Sequence, residues 1–206
     1  MSDEFYLQSP HGNTGDGLMF WALAGGYCTD LDKAEVFTRE RAQKLHEDRC
    51  GDDLPWPKAY IDKHSHLGVD CQYVREEEAL PLLVDGCQCV MQLPRMWNGN
   101  DLIWALPHIG GTAQFEQALR LDLDGAMKAR ELIDLIIWPL AYIEGKTRRL
   151  VHHQKLDSKE ALRGSGIKRY KPKRIRYTYR CDPCGRFLTE SQNYGECPNC
   201  GAENRP

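Results

Sequence analysis

Cys181-Asp182-Pro183-Cys184-Gly185 and Cys197-Pro198-Asn199-Cys200-Gly201 lie within the last 26 residues, and their reading decides the reading of the rest. Two C-x-x-C pairs, separated by 12 residues, offer four soft sulfur ligands from two tight turns. The glycine after each pair permits the positive φ that such a turn needs, and backbone N–H groups in the turn can point at the thiolates. Four thiolates in a tetrahedron suit Zn²⁺, so Cys181, Cys184, Cys197 and Cys200 are the expected ligands of one structural zinc. Two disulfides are the alternative, and nothing else in the chain points to an oxidising compartment.

Over about forty residues this stretch resembles the zinc ribbon family. The resemblance implies a small β-hairpin fold holding zinc, in a family whose members bind nucleic acid or proteins. It implies a fold and a metal, not an activity.

The chain has 206 residues, 41% of them hydrophobic, which suits one domain of ordinary size and a small one. There is no run of eighteen apolar residues, so no membrane span is expected. Met1-Ser2-Asp3-Glu4 lacks the basic-then-apolar pattern of a secretory signal. A cytoplasmic location is the expectation, with host cytoplasm meant if the chain is phage-encoded. Cys28, Cys50, Cys71, Cys87 and Cys89 are then free thiols or additional ligands.

The net charge of −3 hides a strong asymmetry. Residues 1–145 carry 12 Lys/Arg against 24 Asp/Glu, whereas residues 146–180 carry 13 against 2. An acidic body therefore leads into a basic neck, and such a separation points to a partner.

Hydrophobic patterning predicts an α+β protein: a mixed N-terminal body with a small C-terminal zinc ribbon. Residues 1–66 read as a small α+β module, with strands at 5–8, 18–23 and 34–37. Thr38 is the expected cap of a helix over 39–47. Residues 54–57 read as an irregular corner. Residues 67–158 read as an α+β body, with strands near 69–75, 87–92 and 96–106, and helices over 113–121 and 125–137. Residues 159–167 are the expected hinge, and residues 168–206 the basic strand and ribbon. No internal repeat stands out.

Several stretches resemble a module of uncharacterised phage and prophage proteins. They are Phe5-Tyr6-Leu7-Gln8, Gly15-Asp16-Gly17, Phe20-Trp21, residues 26–34 and Phe37-Thr38-Arg39-Glu40. The resemblance implies a mobile-element origin and carries no function with it.

The basic segment alternates charge and aromatic character. Lys168, Arg169, Lys171, Lys173, Arg174, Arg176 and Arg180 can neutralise phosphates, and Tyr170, Tyr177 and Tyr179 can stack on bases. Nucleic acid, an acidic protein partner and the chain's own acidic body all fit this charge. Adjacent His152-His153 reads as a surface pair. A second metal group could combine His64, His66 and Cys71 with Cys87 and Cys89, but no clean four-ligand spacing supports it. Glu116, Asp122, Asp124, Glu131 and Asp134 could serve a metal-dependent nuclease, with an ordinary exposed face as the plainer reading. Protease, phosphate-loop and serine-hydrolase motifs are absent.

Two functions follow. The first is a binding protein contacting nucleic acid or a nucleic-acid-bound host complex, a regulator or inhibitor of host machinery whose acidic body recognises a host protein. The second is a metal-dependent nucleic-acid-processing enzyme that uses the ribbon as a substrate grip. Oligomeric state and target are not legible in the sequence.

Overall fold

A computed structural model of the chain describes residues 3–172 and 178–204. The fold is α+β and divides into two compact units, Met1–Tyr170 and Lys171–Pro206.

The larger unit is built twice from one pattern. Its first half runs β1 (Glu4–Gln8), β2 (Phe20–Trp21), β3 (Tyr27–Cys28), β4 (Phe37–Thr38), α1 (Arg39–Asp48), β5 (Leu54–Pro57), α2 (Lys58–His64) and β6 (His66–Val69), followed by α3 (Glu76–Ala79). The second half runs β7 (Gln88–Asn98), β8 (Asp101–Ala105), β9 (Gly111–Thr112), β10 (Arg120–Asp122), α4 (Leu123–Leu132), β11 (Ile136–Pro139), α5 (Leu140–Glu144) and β12 (Thr147–Leu150), followed by α6 (Ser158–Leu162).

Registers match residue for residue. Gln8 pairs with Phe20 and Phe20 with Cys28; 84 positions later Gln92 pairs with Trp104 and Trp104 with Thr112. Thr38 and Asp122, also 84 apart, both cap ten-residue helices with their side-chain oxygens. From the next strand onward the offset is 82. Trp56-Pro57-Lys58-Ala59-Tyr60-Ile61-Asp62 answers Trp138-Pro139-Leu140-Ala141-Tyr142-Ile143-Glu144. Each tryptophan donates its indole N–H to the matching glutamine, Trp56 to Gln8 at 2.9 Å and Trp138 to Gln92 at 2.8 Å. The expectation of no internal repeat is therefore overturned.

The two halves interlock. β6 and β12 pair antiparallel, with His66 opposite Leu150 and Val69 opposite Thr147. Each half sends its last segment over the other's core. Val69, Val74 and Ala79 pack with Trp104, Trp138 and Ile143, while Val151, Leu156 and Ala161 pack with Phe20, Trp56 and Ile61. Tyr142 accepts from the Arg75 N–H at 2.9 Å, and Tyr60 from the Asp157 N–H at 3.1 Å. Reciprocal contacts of this kind define an approximate two-fold axis, as in an isologous dimer fused into one chain.

Several elements differ from the sequence expectation. Residues 54–57 form β5 rather than a corner, because β1 supplies a full antiparallel partner for them. The helix expected over 113–121 is a single 3₁₀ turn at Phe115–Gln117 followed by β10. The helix expected over 125–137 stops at Leu132, and the apolar run beyond it becomes β11 along β7. Residues 159–167, expected as a hinge, belong to the body: Ala161, Leu162 and Ile167 are buried. The boundary expected at 66/67 falls at the start of β6.

The basic neck also begins inside the body. Half-buried Arg148 on β12 pairs with Asp70 and, at 2.7 Å, with Asp101, both aspartates being buried. Arg149 reaches Asp32 at 2.7 Å and Asp62 at 3.2 Å, and Lys146 reaches Glu78 at 3.4 Å. Part of the charge asymmetry is thus neutralised within the fold.

In the smaller unit β13 (Tyr179–Arg180) pairs antiparallel with β14 (Phe187–Leu188), and α7 (Glu190–Asn193) follows. Thr189 and Gln192 cap that short helix reciprocally in a capping box.

Candidate metal centre and basic segment

Each C-x-x-C pair forms a knuckle. The Cys181 N–H donates to the Arg186 carbonyl at 2.9 Å, and the Gly185 N–H returns to the Cys181 carbonyl at 2.7 Å. The second knuckle repeats this, Cys197 to Ala202 at 2.7 Å and Gly201 to Cys197 at 2.9 Å. Gly185 at φ 69° and Gly201 at φ 70° occupy the left-handed region that closes such a turn.

The knuckles bring all four sulfurs within 4.8 Å of one another. Cys181 Sγ lies 3.6 Å from Cys200 Sγ, and Cys184 Sγ lies 3.7 Å from Cys197 Sγ. A disulfide would need about 2.05 Å. Four sulfurs placed tetrahedrally at about 2.3 Å from one ion stand about 3.8 Å apart, so the cage fits a metal ion. Cys181 and Cys197 are buried, whereas Cys184 and Cys200 are exposed. The Arg186 backbone N–H, aided by the Asn199 side chain, holds the Cys184 thiol down to about 6. The Asn199 backbone N–H, at 3.5 Å from Cys197 Sγ, lowers the Cys197 thiol as well. Both shifts favour the thiolate form that binds metal, whereas burial pushes the Cys181 thiol up to about 12 and Cys200 is raised as well.

Among the described residues no other group of three or more metal-ligating side chains converges. His64 Nδ1 lies 2.8 Å from the Tyr60 carbonyl, and His66 packs against His152 at 4.2 Å between ring centroids. Cys87 and Cys89 keep each other's company, their sulfurs 3.6 Å apart. His152 is buried, so the pair expected at the surface is split, with only His153 exposed. Three of the five carboxylates weighed for catalysis have structural partners. Glu116 accepts from the Leu67 N–H at 2.6 Å, Asp122 caps α4, and Asp134 pairs with Arg95 at 3.3 Å.

The basic segment falls into three parts. Lys168, Arg169 and Tyr170 end the larger unit, where the Tyr170 N–H donates to His46 Nε2 at 2.9 Å and both charged side chains are exposed. Lys171 begins the smaller unit and is exposed. Lys173, Arg174, Arg176 and Tyr177 lie outside the described residues. Tyr179 packs against the small core of Cys181, Leu188 and Cys197, which gives it a structural role instead of an open stacking face. Arg180 spreads over the Phe187 ring at 4.4 Å and stays exposed.

Sequence reasoning missed the Arg148–Asp70–Asp101 set, since nothing local marks three residues so far apart as partners. The repeated W-P-x-A-Y-I motif was a visible trace of the duplication, not of this ion-pair set. Among the described residues no helix is long and apolar enough to cross a membrane. No protein-family model, no curated protein and no solved structure matches this chain.

Proposed function

We propose that the cysteine cage holds Zn²⁺ as a structural ion, and that the ribbon so formed fixes a cationic segment that binds nucleic acid. The observation that carries the first step is the sulfur geometry: four thiols within 4.8 Å on two matched knuckles. Borderline-soft Zn²⁺ takes such a set without geometric cost.

Support for the second step is the charge left over after the body has taken its share. Residues 168–180 hold seven Lys/Arg and no Asp/Glu. Of the seven, Lys168, Arg169, Lys171 and Arg180 are exposed in the structure. Such a run releases counterions from phosphates on binding. The target in this reading is either bare nucleic acid or a nucleic-acid-bound host complex, with regulation or inhibition of host machinery as the role. The protein acts by binding in this reading: of the five carboxylates weighed for a nuclease, Glu116, Asp122 and Asp134 are engaged as acceptor, cap and ion-pair partner, and the five do not converge on one site among the described residues.

Fluorescence anisotropy with labelled single- and double-stranded oligonucleotides tests it across a salt series. Affinity should fall steeply with salt. Arg174→Ala, Arg176→Ala and Arg180→Ala together should reduce the log–log slope by about 2–3. No binding of DNA or RNA at low salt would remove the nucleic-acid reading.

A further inference from the structure

The internal repeat allows each half to be read as a control for the other, and one comparison is unequal. In the first half, residues 163–170 leave α6 and run back along α1. Ile167 enters the core beside Phe5, Leu7 and Phe37. Gln43 clasps the backbone of Lys168, accepting from its N–H at 2.7 Å and donating to its carbonyl at 3.0 Å. His46 Nε2 accepts from the Tyr170 N–H, while its Nδ1 lies 2.6 Å from the Asp53 carbonyl. A strap therefore fills the groove between α1, β5 and α6.

Among the described residues no such strap fills the second half. After α3 the chain makes a 3₁₀ turn at Leu80–Leu82 and turns away toward β7. The equivalents of Gln43 and His46 are Met127 and Arg130 on α4, and both line an open cavity of about 260 Å³. Leu80, Leu83, Ile137 and Trp138 form its apolar wall, with Glu76 and Asp134 at the edge. Leu135, standing where the first half has Asp53, takes up part of the space. Leu80 and Met127 remain 56% and 48% exposed, large apolar side chains that the first half's own segment would cover.

We propose that this groove is a docking site for an extended segment of a partner protein, one that seats a branched aliphatic side chain and follows it with a basic residue. The first half shows what the fold accepts at this place: Ile167, an extended backbone, then Lys168 and Arg169. Replacing Gln43 by Met127 exchanges a backbone clasp for apolar contact. Replacing His46 by Arg130 exchanges an acceptor for a donor that grips carbonyls. Glu76 supplies the complement to the basic residue, within a body that carries an excess of 12 acidic groups over residues 1–145. The site is remote in sequence from the cysteine cage, so its test and that of the nucleic-acid reading fail separately.

The probe is a fluorescein-labelled peptide with the sequence of residues 163–170, Arg-Gly-Ser-Gly-Ile-Lys-Arg-Tyr, titrated with the full-length protein. Saturable binding is expected below about 1 mM. It should weaken at least about tenfold when the peptide isoleucine becomes aspartate, and equally in Met127→Lys or Leu80→Glu protein. Both substituted side chains are exposed, and unchanged thermal unfolding would show that the variants fold. Gln43→Ala should leave peptide binding unchanged. Three results would overturn the proposal: no saturable binding, binding indifferent to Met127→Lys and Leu80→Glu, or binding lost only in Gln43→Ala, which would mean exchange with the strap. Sedimentation velocity adds a fourth. A wild-type dimer abolished by Met127→Lys would assign the groove to a second copy of this chain instead.

Discussion

At one pair of positions the two halves chose opposite chemistry. The repeat equates His66 with Arg148 and Asp70 with His152. On one side of the axis these positions hold the Arg148–Asp70 ion pair, and on the other they hold two imidazoles meeting edge to face. Among the described residues neither ring nitrogen of His66 has a hydrogen-bond partner. Burial first, then the positive charges of His152 and Lys155, push His66 down from 6.5 to about 4. Burial lowers His152 too, against the pull of Asp16. The unfolded chain therefore binds more protons than the folded one between these values. Stability contributed by neutral His66 is complete above 6.5 and is lost as pH falls toward about 4. Urea midpoints measured from about pH 7 to about pH 4 should decline, and His66→Phe should flatten that decline while keeping the ring contact. An unchanged pH slope in the variant would show that His66 does not titrate on unfolding. The sequence shows both histidines but not their meeting, because 86 positions separate them and only the paired strands β6 and β12 join them.

Turns and strands tell more of their function through context than through composition. Gly15 and Gly99 occupy the first central positions of two equivalent turns, at φ 59° and 62°. That is the place a type II′ turn reserves for glycine. The turns meet back to back across the axis. A Cβ on Gly15 would sit 2.3 Å from the Gly99 nitrogen, and one on Gly99 would sit 2.6 Å from the Thr14 carbonyl. Backbone cannot step aside as a side chain can, so Gly15→Ala and Gly99→Ala should each cost about 2–4 kcal/mol in chemical denaturation, combining left-handed strain with overpacking. Gly25→Ala, with open space around it, isolates the φ penalty and should cost about 1 kcal/mol. Equal losses at Gly15 and Gly25 would remove the close-approach argument. Legibility was uneven at this scale. The Thr38 cap and the helix behind it were readable because cap chemistry is local. Leu132–Ile137 was not: a short apolar run fits a buried strand as well as a helix, and only β7 decides for strand.

For the whole molecule, the duplication was hidden because the halves conserve positions more than residues. Tyr6 answers Val90, Phe20 answers Trp104 and Leu31 answers Phe115, so volume is exchanged within each core while the pattern survives. The cysteine cage was legible for the opposite reason, since coordination leaves no freedom in residue type and little in spacing. The two units therefore depend on different forces. The larger has cores that include Trp56, Trp104 and Trp138, and it is stable by burial. The smaller spans Lys171–Pro206, and its core amounts to Cys181, Leu188 and Cys197 with Tyr179 and Ala202 alongside. A chain segment below about 40 residues rarely folds on so little apolar surface, so metal binding and folding should be one event there. Treating the full-length protein with a strong chelator should collapse the amide NMR dispersion of residues 178–204, and adding Zn²⁺ should restore it. Cys184→Ser should reproduce the chelated spectrum. The urea transition of the larger unit should move by less than about 0.5 kcal/mol, as expected of independent sites. Dispersion that persisted in metal-free protein would mean that the knuckles hold themselves together, and the zinc reading would fall with it.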